Sequence, residues 1–393
     1  MRRLRIAMLT YSVRPRGGVV HALEVAGALA RRGHDVELFA LARAGQELLR
    51  PAPVPLTVVR HPDHDGPFDE RIALMLGAYR DGLTAPLAEG GFDVVHAQDC
   101  LSANSALDLR DLGVIRSLVR TVHHLDDFTS PSLIACQERS VLEPDALLCV
   151  SEPWVQTLER AFGVHPLLVR NGVDARRFRP PRDRVERSAD RTAAGIEGDR
   201  LAILSVGGIE PRKGSLTLLE AFARVCALAP ERDPLLVLAG GATLFDYRDE
   251  IVRFRERRDE LGLSGRVRET GSLEDAELER LYRACDVFAF PSVKEGFGLA
   301  PLEALASGLP VVASDLPSFG AFLRHGDNAL LTPVGDAEAL AGAIAQLGGD
   351  DRLRERLREA GLRTAAEHTW DAAAAAHEPA YAALARHTIP ARL

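Results

Sequence analysis

Residues 286–315, DVFAFPSVKEGFGLAPLEALASGLPVVASD, restrict the chain to a small group of folds. Residues 286–292 form an apolar run bounded by Pro291, the pattern of a buried strand. A loop follows with Gly296 and Gly298 around Phe297. Pro301 suits the first turn of a helix, where its missing N–H costs nothing. Residues 302–307 continue that helix, Gly308 stops it, and residues 310–314 return as a strand. The start of the chain has the same order: a strand over 5–11, the loop SVRPRGGVV, a helix closed by Gly33, and a strand over 35–41. This βαβ order predicts α/β architecture with a parallel sheet and right-handed crossovers.

Two carboxylates flank the glycine loop, Glu295 before it and Glu303 within the helix. The backbone N–H groups of Gly298 and Leu299 stand at the helix start, where the dipole favours an anion. A carboxylate accepts through two oxygens and can take both hydrogen bonds of a vicinal diol. The loop therefore offers a phosphate seat between two readers of sugar hydroxyls. A solvated loop Glu and a surface helix Glu would leave the glycines and the helix start unexplained.

The stretch resembles the E-x7-E signature of retaining nucleotide-sugar glycosyltransferases of family four, whose GT-B fold places two Rossmann-like, doubly wound domains across a cleft. The resemblance extends over nearly the whole chain and is weakest in the acceptor-facing loops expected at 60–80 and 128–134. It implies an N-terminal acceptor-side domain over 1–180, with a C-terminal helix over 371–387 packed back on it, and a nucleotide-sugar-binding domain over 200–368. Residues 180–200, polar and charged, read as the linker. Gly17 and Gly18 resemble the family's glycine pair against the donor diphosphate; G-x-G-x-x-G is absent. Thr121-Val122-His123 resembles a strand end whose histidine faces the donor sugar; a capping or core histidine, or a metal ligand beside His124, Asp126 and Asp127, are the other readings. Asn171-Gly172-Val173-Asp174 resembles the end of the first domain, and Leu273 falls where the family lays its base.

The resemblance implies roles for each group. Lys213, in EPRKG, would meet the diphosphate together with the N–H groups at Gly298 and Leu299, and Gly296 and Phe297 between the two carboxylates would bind the donor. Glu303 would hold the ribose, Glu295 the sugar hydroxyls, and His123 the far side of the sugar. The site would lie between the domains, at the carboxyl ends of both sheets. One position departs from the pattern: the family's arginine after the strand glycine is here Gly208, and Arg212 is the candidate replacement.

Composition narrows the function further. At 393 residues, 46% hydrophobic and 26% charged, the chain has material for two cores. A net charge of −8 argues against nucleic acid as partner. Five cysteines without a CxxC pair suit reduced thiols in the cytoplasm rather than disulfides or zinc. No apolar run reaches transmembrane length, which leaves room for an acceptor met peripherally at the inner membrane face. Asp63-His64-Asp65 has D-x-D spacing but sits in a proline-bounded loop and reads as coincidence. The expected activity is metal-independent, cofactor-free hexosyl transfer from a nucleoside-diphosphate sugar to a small-molecule, glycan or lipid acceptor. An epimerase or hydrolase of the same fold, or a non-catalytic nucleotide-sugar binder, are the competing classes; the presence of His123 and Lys213 speaks against the silent binder.

Overall fold

The computed structural model describes residues 2–385 apart from 15, 49, 65 and 242–246. Asp65 of the D-x-D spacing and residues 386–387 of the expected last helix lie outside the described residues. The chain divides into two units, residues 1–171 with 370–393 and residues 172–369.

In the first unit the strands are β1 (Arg5–Thr10), β2 (Asp35–Arg43), β3 (Leu56–His61), β4 (Val94–Ala97), β5 (Leu118–Val122), β6 (Ala146–Cys149) and β7 (Leu167–Leu168). They pair in the order β3-β2-β1-β4-β5-β6-β7. In the second unit β8 (Ala202–Val206), β9 (Leu235–Ala239), β10 (Val267–Gly271), β11 (Val287–Phe290), β12 (Val311–Ser314) and β13 (Ala329–Thr332) pair in the order β10-β9-β8-β11-β12-β13. Every one of these pairings is parallel. Helices cover both faces of such a sheet, so β4 (VVHA) and β11 (VFAF) are buried at every residue instead of alternating. The second unit's core gathers Ile203, Leu236, Val287, Ala289 and Val312 from four strands. In each sheet the strand order reverses once, between β1 and β4 and between β8 and β11. Doubly wound proteins bind ligands beside such a reversal, at the carboxyl ends of the strands.

The helix Trp370–Ala385 belongs to the first unit and packs on the helix Gly17–Arg31. Its alanines let the two backbones approach. Glu378 takes both arms of the Arg32 guanidinium at 2.6 and 2.8 Å, and Asp371 pairs with Arg31 at 3.0 Å.

Three local expectations change. Gly17 and Gly18 are the first turn of the helix Gly17–Arg31, not part of a loop, because the apolar face of that helix already begins at Val19. Residues 180–200 are not a bare linker. They hold the helix Arg184–Ala193, bound into the second unit by Asp190 to Arg283 at 2.7 Å and by Arg187 and Arg191 to Asp286 at 2.6 and 3.2 Å. The acceptor-facing loop expected at 128–134 runs into the helix Pro131–Leu142, with proline opening its first turn. All five cysteines are free of disulfides. Among the described residues no helix is long and apolar enough to cross a membrane.

Candidate functional site

In the second unit the site grows from the ends of β8 and β11, which are neighbours in the sheet. After β8 the chain passes Gly207 and Gly208 into the short 3-10 turn Pro211–Lys213. After β11 it passes Pro291 and Glu295 into the helix Leu299–Ala306. The two loops therefore abut, and three charged groups meet. Lys213 Nζ donates to Glu295 Oε1 at 2.6 Å and stands 4.6 Å over the Phe290 ring. Arg212 donates to the same Oε1 at 3.1 Å, to Lys294 O at 3.2 Å and to Glu210 Oε1 at 2.9 Å. Burial alone would push the Glu295 carboxyl up; Lys213 and then Arg212 reverse this and hold it at about 2. Burial draws the Lys213 ammonium down, against the pull of Glu295. A small hollow lined by Gly207, Gly208, Ile209, Lys213, Ser215 and Phe290 opens beside the pair. Arg212 is thus held by Glu210 and Glu295.

The glycine loop has the expected helix start. Gly298 is the N-cap of Leu299–Ala306 in left-handed conformation, φ +99°. A Cβ there would fall 2.6 Å from the Phe319 ring, so only glycine fits. Phe297 is buried, stacked on Phe322 at 5.0 Å. The opening N–H groups of a helix have no carbonyl one turn back, and Pro301 brings no third donor. Glu303, one turn on, accepts from the buried Tyr282 hydroxyl at 2.9 Å. Leu273 follows β10 and is half-buried.

In the first unit His123 follows β5, and its Nε2 lies 3.1 Å from Gln98 Oε1, just past β4. Gly18 approaches so closely that an added Cβ would meet the His123 ring at 3.3 Å, whereas one at Gly17 would meet nothing within 4 Å. His21, on the same helix as the glycines, stands edge-on to His123 at 4.8 Å between centroids and bonds Asn171 Oδ1 at 2.9 Å. Burial, then His21, hold His123 well below the ordinary histidine range, so the ring is neutral. His124 turns instead to Asp126, at 3.2 Å. Among the described residues no three His, Cys, Asp or Glu side chains are placed to hold a metal ion.

The structure thus joins Lys213, Arg212 and Glu295 at one point and sets Gly18 against His123. Glu210, Tyr282, Gln98 and His21 escaped the sequence reading. Gln98 had one available signal: it ends a buried strand, VVHAQ, that an α/β order can place beside the first strand.

Comparisons with known proteins give the family and the fold. Residues 186–364 match the family model "Glycosyl transferases group 1", and residues 15–177 match "Glycosyltransferase Family 4". The chain is 31% identical over 399 residues to a D-inositol 3-phosphate glycosyltransferase of Corynebacterium urealyticum, covering 94% of this chain and 93% of that one. To the protein of the same name from Corynebacterium diphtheriae it is 30% identical over 413 residues, covering 97% and 95%. Among solved structures, sucrose-phosphate synthase from Thermosynechococcus elongatus superposes with a TM-score of 0.80 at 22% identity, covering 97% and 99% of the two chains. Anabaena HepE in complex with UDP-glucose superposes with a TM-score of 0.80 at 20% identity, covering 97% and 100%. Both likenesses are of fold, and the fold is GT-B.

Proposed function

This chain belongs to glycosyltransferase family 4, and from that premise we propose that it moves a hexose from a nucleoside-diphosphate sugar to an inositol phosphate, with retention at the anomeric carbon. The observation that carries the reading is the meeting of Lys213, Arg212 and Glu295 beside the N-terminus of the helix Leu299–Ala306. The acceptor class follows the name of relatives about 30% identical over nearly the whole chain.

Breaking the glycosidic bond releases a diphosphate whose charge grows as the bond lengthens. Donors already in place for that charge lower the barrier most. Lys213 and Arg212 supply cations, and the N–H groups of Gly298 and Leu299 add the positive end of a helix. A diphosphate arriving there takes over bonds that Glu295 Oε1 now accepts. The carboxylate then turns to the sugar hydroxyls, ionised as it must be to accept them. Glu303 reads the ribose, Leu273 lies along the base, Gly17 and Gly18 leave room for the phosphates, and His123 takes a hydroxyl of the sugar. No step calls for a metal or a resident cofactor.

Thermal-shift screening of UDP-, GDP- and ADP-hexoses identifies the donor, because a ligand bound only by the native state raises the melting temperature. The best donor is then incubated with D-inositol 3-phosphate, and the product is examined for its anomeric configuration. A retained glycoside is the expected result. Consumption of the donor without a glycoside, giving free sugar or an epimer, would replace transfer by hydrolysis or epimerisation.

A further inference from the structure

Behind His123 lies a layer of buried side chains that the proposed transfer leaves without a role. Gln98 is 2% exposed. Its Nε2 stands 3.0 Å from Met8 Sδ, and 3.1 and 3.4 Å from the two ring nitrogens of His96. Near-equal distances to both nitrogens place the amide over the face of that ring. The ring's edge is already occupied, by Tyr381 OH at 2.7 Å on Nδ1 and by Thr121 Oγ1 at 2.8 Å on Nε2.

A thioether and an aromatic face are both electron-rich and accept hydrogen bonds. The NH2 end of Gln98 is stable against them; the carbonyl end would be repelled. The amide is therefore oriented, with Oε1 towards His123 Nε2 at 3.1 Å. A carbonyl oxygen only accepts, so His123 Nε2 must carry the proton. We propose that Gln98 is a positioning residue that fixes His123 as the neutral Nε2–H tautomer and leaves Nδ1 as a hydrogen-bond acceptor.

The charged and titratable groups facing His123 support neutrality. They are His21 from the helix Gly17–Arg31, His96 from β4, Arg120 from β5 and His124 next in the chain, and each disfavours an imidazolium. What meets Nδ1 must then be a donor, such as a hydroxyl. In the proposed transfer, on which this last consequence rests, the sugar hydroxyl donates to the ring. Fluorine in place of that hydroxyl, which cannot donate, weakens the sugar's binding.

Nitrogen NMR of the protein labelled with 15N-histidine tests the tautomer without any substrate, and His123→Asn identifies the resonances by their loss. The wild type is expected to show a protonated Nε2 and a lone-pair Nδ1 at neutral pH. Gln98→Leu is expected to show a mixture of tautomers. In Gln98→Glu, a carboxylate facing Nε2 is expected to raise the ring's titration by about one unit or more. A protonated Nδ1 in the wild type overturns the proposal, as do unchanged tautomers in Gln98→Leu. If Gln98→Leu fails to fold, a His123 ring in Gln98→Glu that titrates no higher than in the wild type overturns it. Full transfer by His123→Ala, with the spectra as expected, would instead remove His123 from the sugar and leave the tautomer assignment standing.

Discussion

Tyr282 donates its phenolic hydroxyl to Glu303 Oε2 at 2.9 Å, and that hydroxyl also lies 3.2 Å from Ala300 O. A phenol has one proton, and the charged acceptor at the shorter distance takes it. The ring is clamped by Phe178 and Phe288, at 5.4 and 5.7 Å between centroids, so the hydroxyl is fixed before any nucleotide arrives. In Tyr282→Phe the carboxylate loses this hydrogen bond. Nucleoside diphosphate affinity measured by calorimetry is expected to fall about 3- to 10-fold, the scale of one such hydrogen bond, and further in Glu303→Ala. Unchanged affinity in Glu303→Ala would remove that residue from the nucleotide.

The cation absent at Gly208 yields a kinetic expectation. Arg212 shares Glu295 with Lys213, so removing it weakens both the diphosphate seat and the orientation of the carboxylate. Transfer by Arg212→Ala should fall on the order of 100-fold. Arginine restored at position 208 in that variant should recover part of the loss. A near-wild-type rate for Arg212→Ala would show that Lys213 and the helix N-terminus suffice.

Acid should destabilise the first unit through its buried histidines. Burial, then His377, lowers His21 to about 3, and burial lowers His377 to about 4. Unfolded histidine titrates near 6.5. As pH falls below 6.5 the unfolded chain takes up protons that the folded chain refuses, so stability is lost until pH reaches the folded values. For His377 alone the loss is roughly 3 kcal/mol. His377 Nε2 is buried without a partner, so His377→Phe should fold and lose less stability between pH 6.5 and 4. Denaturant melts of both proteins across that range decide it; parallel curves would contradict the assignment.

Transfer is expected to survive chelation, since the proposed leaving-group seat consists of Lys213, Arg212 and backbone N–H groups. Activity is assayed after exhaustive treatment with EDTA. Complete loss, restored by Mn²⁺ or Mg²⁺, would require a different account of how the diphosphate is neutralised.

Groups close in sequence were the readable part of the site. Glu295, Gly298 and Glu303 fall within nine residues, and one strand–loop–helix unit sets their relation. Lys213 and Glu295 are 82 positions apart; a shared motif places them together, but only the adjacency of β8 and β11 brings their atoms into contact. Tyr282 and Gln98 belong to no spacing pattern. Each acts through a side chain supplied by another element, which requires the sheet order in advance. The helix Arg184–Ala193 was unreadable for a different reason. Its sequence RVERSADRTA lacks an apolar stripe, and ion pairs to Asp286 and Arg283 hold it instead.

The helix Trp370–Ala385 follows the whole second unit in the chain, yet it completes the first. It supplies Tyr381 to His96 and brings Trp370 within 5.8 Å of His21. During synthesis the usual order, N-terminal domain first, is therefore inverted. The second unit has its strands and helices before the first has its covering helix. Until residues 370–385 emerge from the ribosome, His21 lacks its contact with Trp370 and His96 lacks its bond to Tyr381. For that interval the nascent chain presents an open apolar face, and chaperones that hold unfinished chains have a reason to bind there.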